Sequence, residues 1–262
     1  MTDPRNSIAY FCVFLLAFYG CAAMPPMNER TDFLSPEAAL KHIAAQIPDD
    51  VALQATANIQ MTIREERYPL KLALVLKKPD FLRVEAIPLF GPPVFFLSVR
   101  DQTLKVFLSG NRAFYIGHAT PDNIARYVPL KMTPDEMIAV LMGTAPPFSG
   151  QNTLLQGGLE GDHYRIDIRG TLKRQSLWLR MEDGFLEHLE VHQDQGSSYR
   201  VHFEDPLRIG GSVFPQKLTI FFEGEAITVL SIRLADIQLL KQWDPAIFDL
   251  KAPPGVDPVY LD

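Results

Sequence analysis

The 262-residue chain carries 25 Lys and Arg against 31 Asp and Glu, a formal charge of −6, and 47% of it is hydrophobic. That apolar share supports one large domain or two small ones, and the acidic balance argues against a nucleic-acid partner, which would need cations along its phosphates. No Gly-rich phosphate loop, zinc-ligand spacing or block of like charges is present, so neither a cofactor nor a metal is expected.

The apolar run Ile8–Tyr19 is the first element. It is shorter than the roughly 20 residues a bilayer-spanning helix needs, and it matches the 7–15-residue hydrophobic region of a secretory signal. The following Phe18-Tyr19-Gly20-Cys21-Ala22 resembles a bacterial lipobox, where the signal is cut before a cysteine that then receives acyl chains. Lipoboxes usually carry Leu and a small residue where this chain has Phe18 and Tyr19. The chain has two cysteines. Cleavage before Cys21 would remove Cys12 and leave no internal disulfide, while acylation would occupy the remaining thiol. Residues 1–20 are therefore expected to be a lipoprotein signal peptide, 21–33 a tether rich in Met and Pro, and 34–262 one folded domain.

Ser35-Pro36-Glu37 offers an N-cap followed by Pro at the first helical position, and Leu40, Ile43, Ala44 and Ile47 then recur with helical spacing up to Pro48. From Val51 the period becomes two. Leu72, Leu74 and Leu76 share one face; Tyr164, Ile166 and Ile168 alternate with Arg165, Asp167 and Arg169. Tyr199, Val201 and Phe203 do the same with Arg200, His202 and Glu204, as do Leu218, Ile220 and Phe222 with Lys217, Thr219 and Phe221. Such alternation predicts antiparallel strands with one buried face. Turn signals at Asp101-Gln102, Gly110-Asn111, Gly161-Asp162, Asp183-Gly184, Gly210-Gly211 and Glu223-Gly224 divide the chain into about ten or eleven of them. Thr120-Pro121 and Thr133-Pro134 each predict a short helix, running to Tyr127 and Met142, as a central helical insert.

His188-Leu189-Glu190-Val191-His192 is the segment nearest to a metal or catalytic motif. On a strand its two imidazoles stand about 13 Å apart and cannot share an ion, so it is read as a solvated strand face. No Ser or Cys nucleophile sits in a recognisable elbow, and nothing points to a reaction. The loop Ile87-Pro88-Leu89-Phe90-Gly91-Pro92-Pro93 is more unusual, because its prolines cannot serve a central ladder and it carries two large apolar side chains. Leu89 and Phe90 either fold back on the domain or form a tip that touches a membrane or a partner.

In order and spacing the chain resembles the LolA/LolB-type lipoprotein-handling superfamily, and especially its uncharacterised lipoprotein branch. The resemblance runs from about Leu40 to the end. It rests on the N-terminal helix, Lys77-Lys78-Pro79-Asp80-Phe81-Leu82-Arg83-Val84-Glu85, Pro88-Leu89-Phe90-Gly91, Leu130-Lys131-Met132-Thr133-Pro134-Asp135-Glu136 with Leu141-Met142-Gly143, and the terminal Phe248-Asp249-Leu250-Lys251-Ala252-Pro253-Pro254-Gly255-Val256. What it implies is a mainly β (α+β) fold, an incomplete β-barrel whose curved antiparallel sheet and helices enclose a hydrophobic cavity for acyl chains. Candidate cavity-lining residues are Leu72, Leu74, Leu76, Tyr164, Ile166, Tyr199, Val201, Phe203, Leu218 and Ile220. Leu89 stands where receptor-type relatives place a protruding Leu that helps deliver lipoproteins to the membrane, with Phe90 as an added apolar side chain. Lys78 stands where soluble carriers have an Arg that hydrogen-bonds to lid helices; it keeps the charge but lacks the planar fork. Ala22, with no Asp after Cys21, leaves the anchor free to go to the outer membrane under the family's sorting rule.

These features imply a lipidated protein facing the periplasm from the outer membrane. It would bind acyl chains of lipoproteins or lipids, take them from a soluble periplasmic carrier and perform no catalysis. Two other readings remain open: a structural lipoprotein whose core is filled by its own side chains, and a hydrolase.

Overall fold

The computed structural model describes residues 31–88, 90–128, 130–148, 153–194, 198–223 and 228–261. The expected signal peptide, Cys21 and Leu89 lie outside the described residues. The chain enters beside the far end of the sheet, where the Thr31 N–H donates to the Met181 carbonyl at 2.7 Å. Helix α1 (Pro36–Ala45) follows, with Ser35 as N-cap accepting from the Ala38 N–H. It ends at Gln46, two residues short of Pro48, and buries Ala39 and Ile43.

The first six strands are β1 (Ala52–Ile63), β2 (Glu66–Lys77), β3 (Phe81–Ala86), β4 (Phe95–Arg100), β5 (Thr103–Leu108) and β6 (Ala113–His118). Two helices interrupt the sheet, α2 (Pro121–Ala125) and α3 (Pro134–Met142). The remaining strands are β7 (Leu154–Glu160), β8 (His163–Arg169), β9 (Lys173–Arg180), β10 (Leu186–Gln193), β11 (Tyr199–Ile209), β12 (Ser212–Phe222), β13 (Thr228–Leu240) and the short β14 (Pro258–Tyr260). All fourteen form one sheet in the order β14-β6-β5-β4-β3-β2-β1-β13-β12-β11-β10-β9-β8-β7. Every pairing is antiparallel except that of β14 with β6. The order ends at β14 and β7, so the sheet curves but does not close. No helix among the described residues is long and apolar enough to cross a membrane.

The strand count exceeds the expected ten or eleven, for physical reasons. β7 is an edge strand whose residues are almost all exposed, so the alternation that marks a half-buried strand is missing. β14 is three residues long and starts with Pro. The turn between β1 and β2 is Arg64-Glu65, both with positive φ, 47° and 72°. That geometry normally favours Gly or Asn, so the sequence carries no turn signal there. Helix α2 also stops at Ala125 rather than Tyr127.

One hydrophobic core covers the inner face of the sheet, contributed by alternate residues of β1 to β5 and β8 to β13 and by α1 and α3. Helix α3 is buried along most of its length and opens with a full capping box, Thr133 and Glu136 each bonding the other's backbone N–H. It ends at Gly143, whose φ of 72° is left-handed. A Cβ there would collide with the Pro215 ring. Gly143→Ala is expected to lower stability by at least about 1 kcal/mol, read from a urea unfolding midpoint; an unchanged midpoint would contradict this cap.

Helix α1 is tied to the β9–β10 turn through His42, whose ring hydrogen-bonds the Gly184 backbone and whose Nε2 accepts from the Gln46 side-chain amide at 2.7 Å. Its ring packs edge-on against Phe33 at 5.3 Å. Burial lowers the His42 pKa below its ordinary value of 6.5, with Arg208 acting in the same direction, and these outweigh the Gly184 backbone and Asp183, which raise it. The folded state thus binds fewer protons at His42 than the unfolded chain does. Stability from this group is present above about pH 6.5 and is lost as pH falls toward the folded pKa. The melting temperature should therefore decline between pH 7.5 and 5.5, and His42→Gln should flatten that decline. An equal decline in both proteins would exclude His42 as its source.

Candidate ligand-binding face and tip loop

The ten candidate lining residues all lie on the inner face. Leu74, Leu76, Tyr164, Ile166, Tyr199, Val201, Phe203, Leu218 and Ile220 are buried in the common core, and Leu72 is half-buried against it. Helices α1 and α3 lie over this face where a closed barrel would have strands. Between them and the β2–β3 turn runs a groove of about 450 Å³, lined by Leu40, Ala44, Asp49, Lys77, Lys78, Pro79, Asp135, Ala139, Thr144, Ala145 and Pro147. Lys78 stands at this groove. Its ammonium donates to the Ile47 carbonyl just beyond α1 at 2.7 Å and pairs with Asp49 at 2.9 Å. The lysine holds the Asp49 carboxyl below the usual carboxylate range.

A polar cluster the sequence did not announce lies at the edge of the apolar face. Glu136, 5% exposed, accepts from the Thr133 N–H, from the Lys173 ammonium and from Gln193 at 3.1 Å. Nearby, Tyr199 Oη and Gln175 Oε1 are buried without a hydrogen-bond partner among the described residues. Burial, with Glu136 and Asp135 beside it, pushes the Tyr199 phenol well above its ordinary pKa. Unpartnered buried oxygens cost about 1–3 kcal/mol each, which a water or a ligand group supplying a donor would recover.

The other feature is the loop between β3 and β4. Phe90 is 93% exposed at its tip and Val94 50% exposed, and Gly91 turns the chain with φ 88°. Beneath it lies a groove of about 760 Å³ with apolar walls from Ile59, Leu70, Ile87, Pro88 and Val94, and with Lys71, Lys217 and Arg233 at its rim. Strand register places this loop at the end of the sheet opposite α1 and the Lys78 turn. The terminal segment that carries the resemblance straps the outer face. Phe248 is 1% exposed, its carbonyl accepts from Ser98, Arg83 donates to the Ile247 carbonyl at 2.8 Å, and Asp249 pairs with Lys105 at 2.7 Å.

His188 and His192 lie on β10, as a strand reading requires. The sequence did not reveal what surrounds His188. On the outer face its ring meets those of His202, Trp178 and His163, with centroids 4.5, 6.5 and 6.0 Å away. His163, Glu187 and His188 place one possible ligand atom each within 4.8 Å of the others. Burial and the neighbouring His202 lower the His188 pKa from its ordinary value. His163 and His188 are far apart in sequence and meet only across β9, so no local motif marks them.

Fold and face together define an open, helix-capped β half-barrel of the LolA/LolB type. A LolA superfamily protein from Nitrosomonas europaea superposes with a TM-score of 0.60 at 13% identity, over 83% of this chain and 99% of the other. A DUF1329 family protein from Desulfovibrio piger gives 0.62 at 10% identity, over 82% and 95%. A domain assigned as an outer membrane lipoprotein-sorting protein, from Vibrio parahaemolyticus, gives 0.56 at 9% identity, over 82% and 96%. No family model matches the sequence, and no curated protein does. At these identities the likeness establishes the fold.

Proposed function

We propose that this protein is a lipid-anchored acyl-chain binder that faces the periplasm and acts in outer-membrane lipoprotein localisation or lipid transfer. The observation that carries this reading is a continuous apolar inner face covered by two short helices instead of a second sheet. Helices can move off such a face without breaking a strand ladder, and each buried methylene of a guest chain is worth about 0.8 kcal/mol. Transfer needs a graded difference in affinity between donor and acceptor, and no covalent chemistry. The groove between α1, α3 and Lys78 marks the seam along which the helices would part.

Cys21 would carry the anchor. Nine residues lie between it and Thr31, a span of at most roughly 35 Å. Thr31 starts at the end of the sheet opposite Phe90, so a tether running along the barrel brings the tip loop near the membrane that holds the acyl chains. Leu89 and Phe90 would then dip into the lipid surface while Lys71, Lys217 and Arg233 face its headgroups. Labelling with palmitate should mark the wild type and fail in Cys21→Ala; label in both proteins would remove the anchor from this account.

Native mass spectrometry of the domain lacking Cys21 tests the binding itself. Co-purified acylated species, lost when Ile166 and Leu218 are both changed to Trp, are expected. A protein that emerges empty and takes up no acyl probe would favour the structural reading, in which the core is filled by its own side chains.

A further inference from the structure

We infer that the outer face of the sheet carries a divalent transition-metal site formed by His163, Glu187 and His188, of the class that binds Zn²⁺ through two imidazoles and one carboxylate. The backbone is shaped for it. Pairing of β10 with β9 shifts between Leu186 and His188, a β-bulge. Leu186 and Leu189 are both buried on the inner face, so the bulge leaves two consecutive side chains, Glu187 and His188, on the outer one. In a strand regular from Leu189 and Val191 backward, Glu187 would face the core; the bulge turns it outward beside His188. Bulges that re-aim side chains recur beside functional sites.

The hydrogen bonding of His163 points the same way. Its Nδ1 lies 2.7 Å from Asp162 Oδ1 and its Nε2 lies 2.6 Å from Glu187 Oε2. With Nδ1–H donated to Asp162, the Nε2 lone pair faces a carboxylate oxygen, and that contact is repulsive unless a cation lies between. A proton fills that role at this distance, and a metal can fill it once the two atoms separate to about 3.3 Å. A carboxylate on the far nitrogen is the usual support for a metal-bound histidine, since it fixes the tautomer and the ring. His188 adds a ring whose Nδ1 is buried and without a partner among the described residues.

Glu187 has one oxygen committed elsewhere: Arg180 pairs with Asp183 and, at 2.9 Å, with Glu187 Oε1. Glu187 Oε2 is left for the metal. A tetrahedral ion with bonds of about 2.0–2.2 Å holds its ligand atoms about 3.3–3.6 Å apart. The His163–Glu187 pair, now at 2.6 Å, must therefore open by about 0.8 Å while His188, within 4.8 Å of both, closes on them, shifts within reach of side-chain rotation. The fourth position is left to water. Such an ion would clamp β8 to β10 across β9, close to where the chain enters at Thr31.

Calorimetric titration of ZnCl₂ into the chelator-treated protein at pH 7.5 tests this. One equivalent should bind with a dissociation constant in the micromolar range or tighter. Glu187→Gln and His188→Gln should each weaken binding at least tenfold, while His192→Gln, about 13 Å along the same strand, should not change it. Binding weaker than millimolar, or binding unaffected by both substitutions, would overturn the site and leave a simple imidazolium–carboxylate pair. Should the variants fail to fold, Co²⁺ added to the wild type decides. The visible absorption of a four-coordinate ion supports the site, and the hexaaqua spectrum alone contradicts it.

Discussion

Changing Leu89 and Phe90 together to Glu is expected to lower vesicle binding by more than a hundredfold while leaving the melting temperature unchanged. Phe90 is 93% exposed, so its replacement removes no packing from the fold, and surface changes of this kind usually stay within about 0.5 kcal/mol. Inserted into a bilayer, a large apolar side chain gains about 1.5–3 kcal/mol, and every 1.4 kcal/mol is about tenfold in affinity. Cosedimentation of the domain lacking Cys21 with anionic vesicles measures the effect, and acyl-chain binding should be untouched. Vesicle binding equal to that of the wild type would show that the loop does not contact lipid. A fallen melting temperature would instead assign Leu89 to the core.

The second large effect is expected at Glu136. This carboxylate accepts from the Thr133 backbone, Lys173 and Gln193 while only 5% exposed. Glu136→Ala removes the reciprocal half of the α3 cap and strands a half-buried ammonium. Breaking a buried pair from one side costs about 3–5 kcal/mol. For a domain of this size about 3 kcal/mol corresponds to roughly 6–12 °C in melting temperature. Glu136→Gln, which retains an acceptor for the Thr133 N–H, should lose less. A loss below about 1 kcal/mol for Glu136→Ala, from urea unfolding, would mean that Lys173 finds solvent freely and that the cluster holds little.

Where the sequence was informative, a single physical rule was at work. In β8, β11 and β12 one face is buried and the other wet, so Tyr164-Ile166-Ile168, Tyr199-Val201-Phe203 and Leu218-Ile220-Phe222 declare both the strand and its inner face. Helices α1 and α3 were legible because Ser35 and Thr133 cap them ahead of a Pro. The rule fails where burial is absent or the ladder is irregular. β7 has no buried face, and the Arg64-Glu65 turn uses residues that seldom adopt positive φ. The bulge at Glu187 breaks the ladder just before His188-Leu189-Glu190, whose own alternation is regular and gives no sign of it.

Contacts between distant segments account for the rest. Glu136 meets Lys173 and Gln193, and His163 meets Glu187, only because the sheet brings separate hairpins together. Lys78 is an intermediate case. The resemblance placed it where soluble carriers contact lid helices, while its partners in this chain, the Ile47 carbonyl and Asp49, emerge only in the folded chain.

The central claim is that the inner face admits an acyl chain, and a titration with a fluorescent fatty acyl probe tests it most directly. The account predicts saturable binding at about one equivalent, competed by unlabelled lipoprotein acyl chains and abolished by Ile166→Trp with Leu218→Trp in a protein that still melts cooperatively. Probe fluorescence that never saturates, or saturates equally in the filled variant, would contradict it.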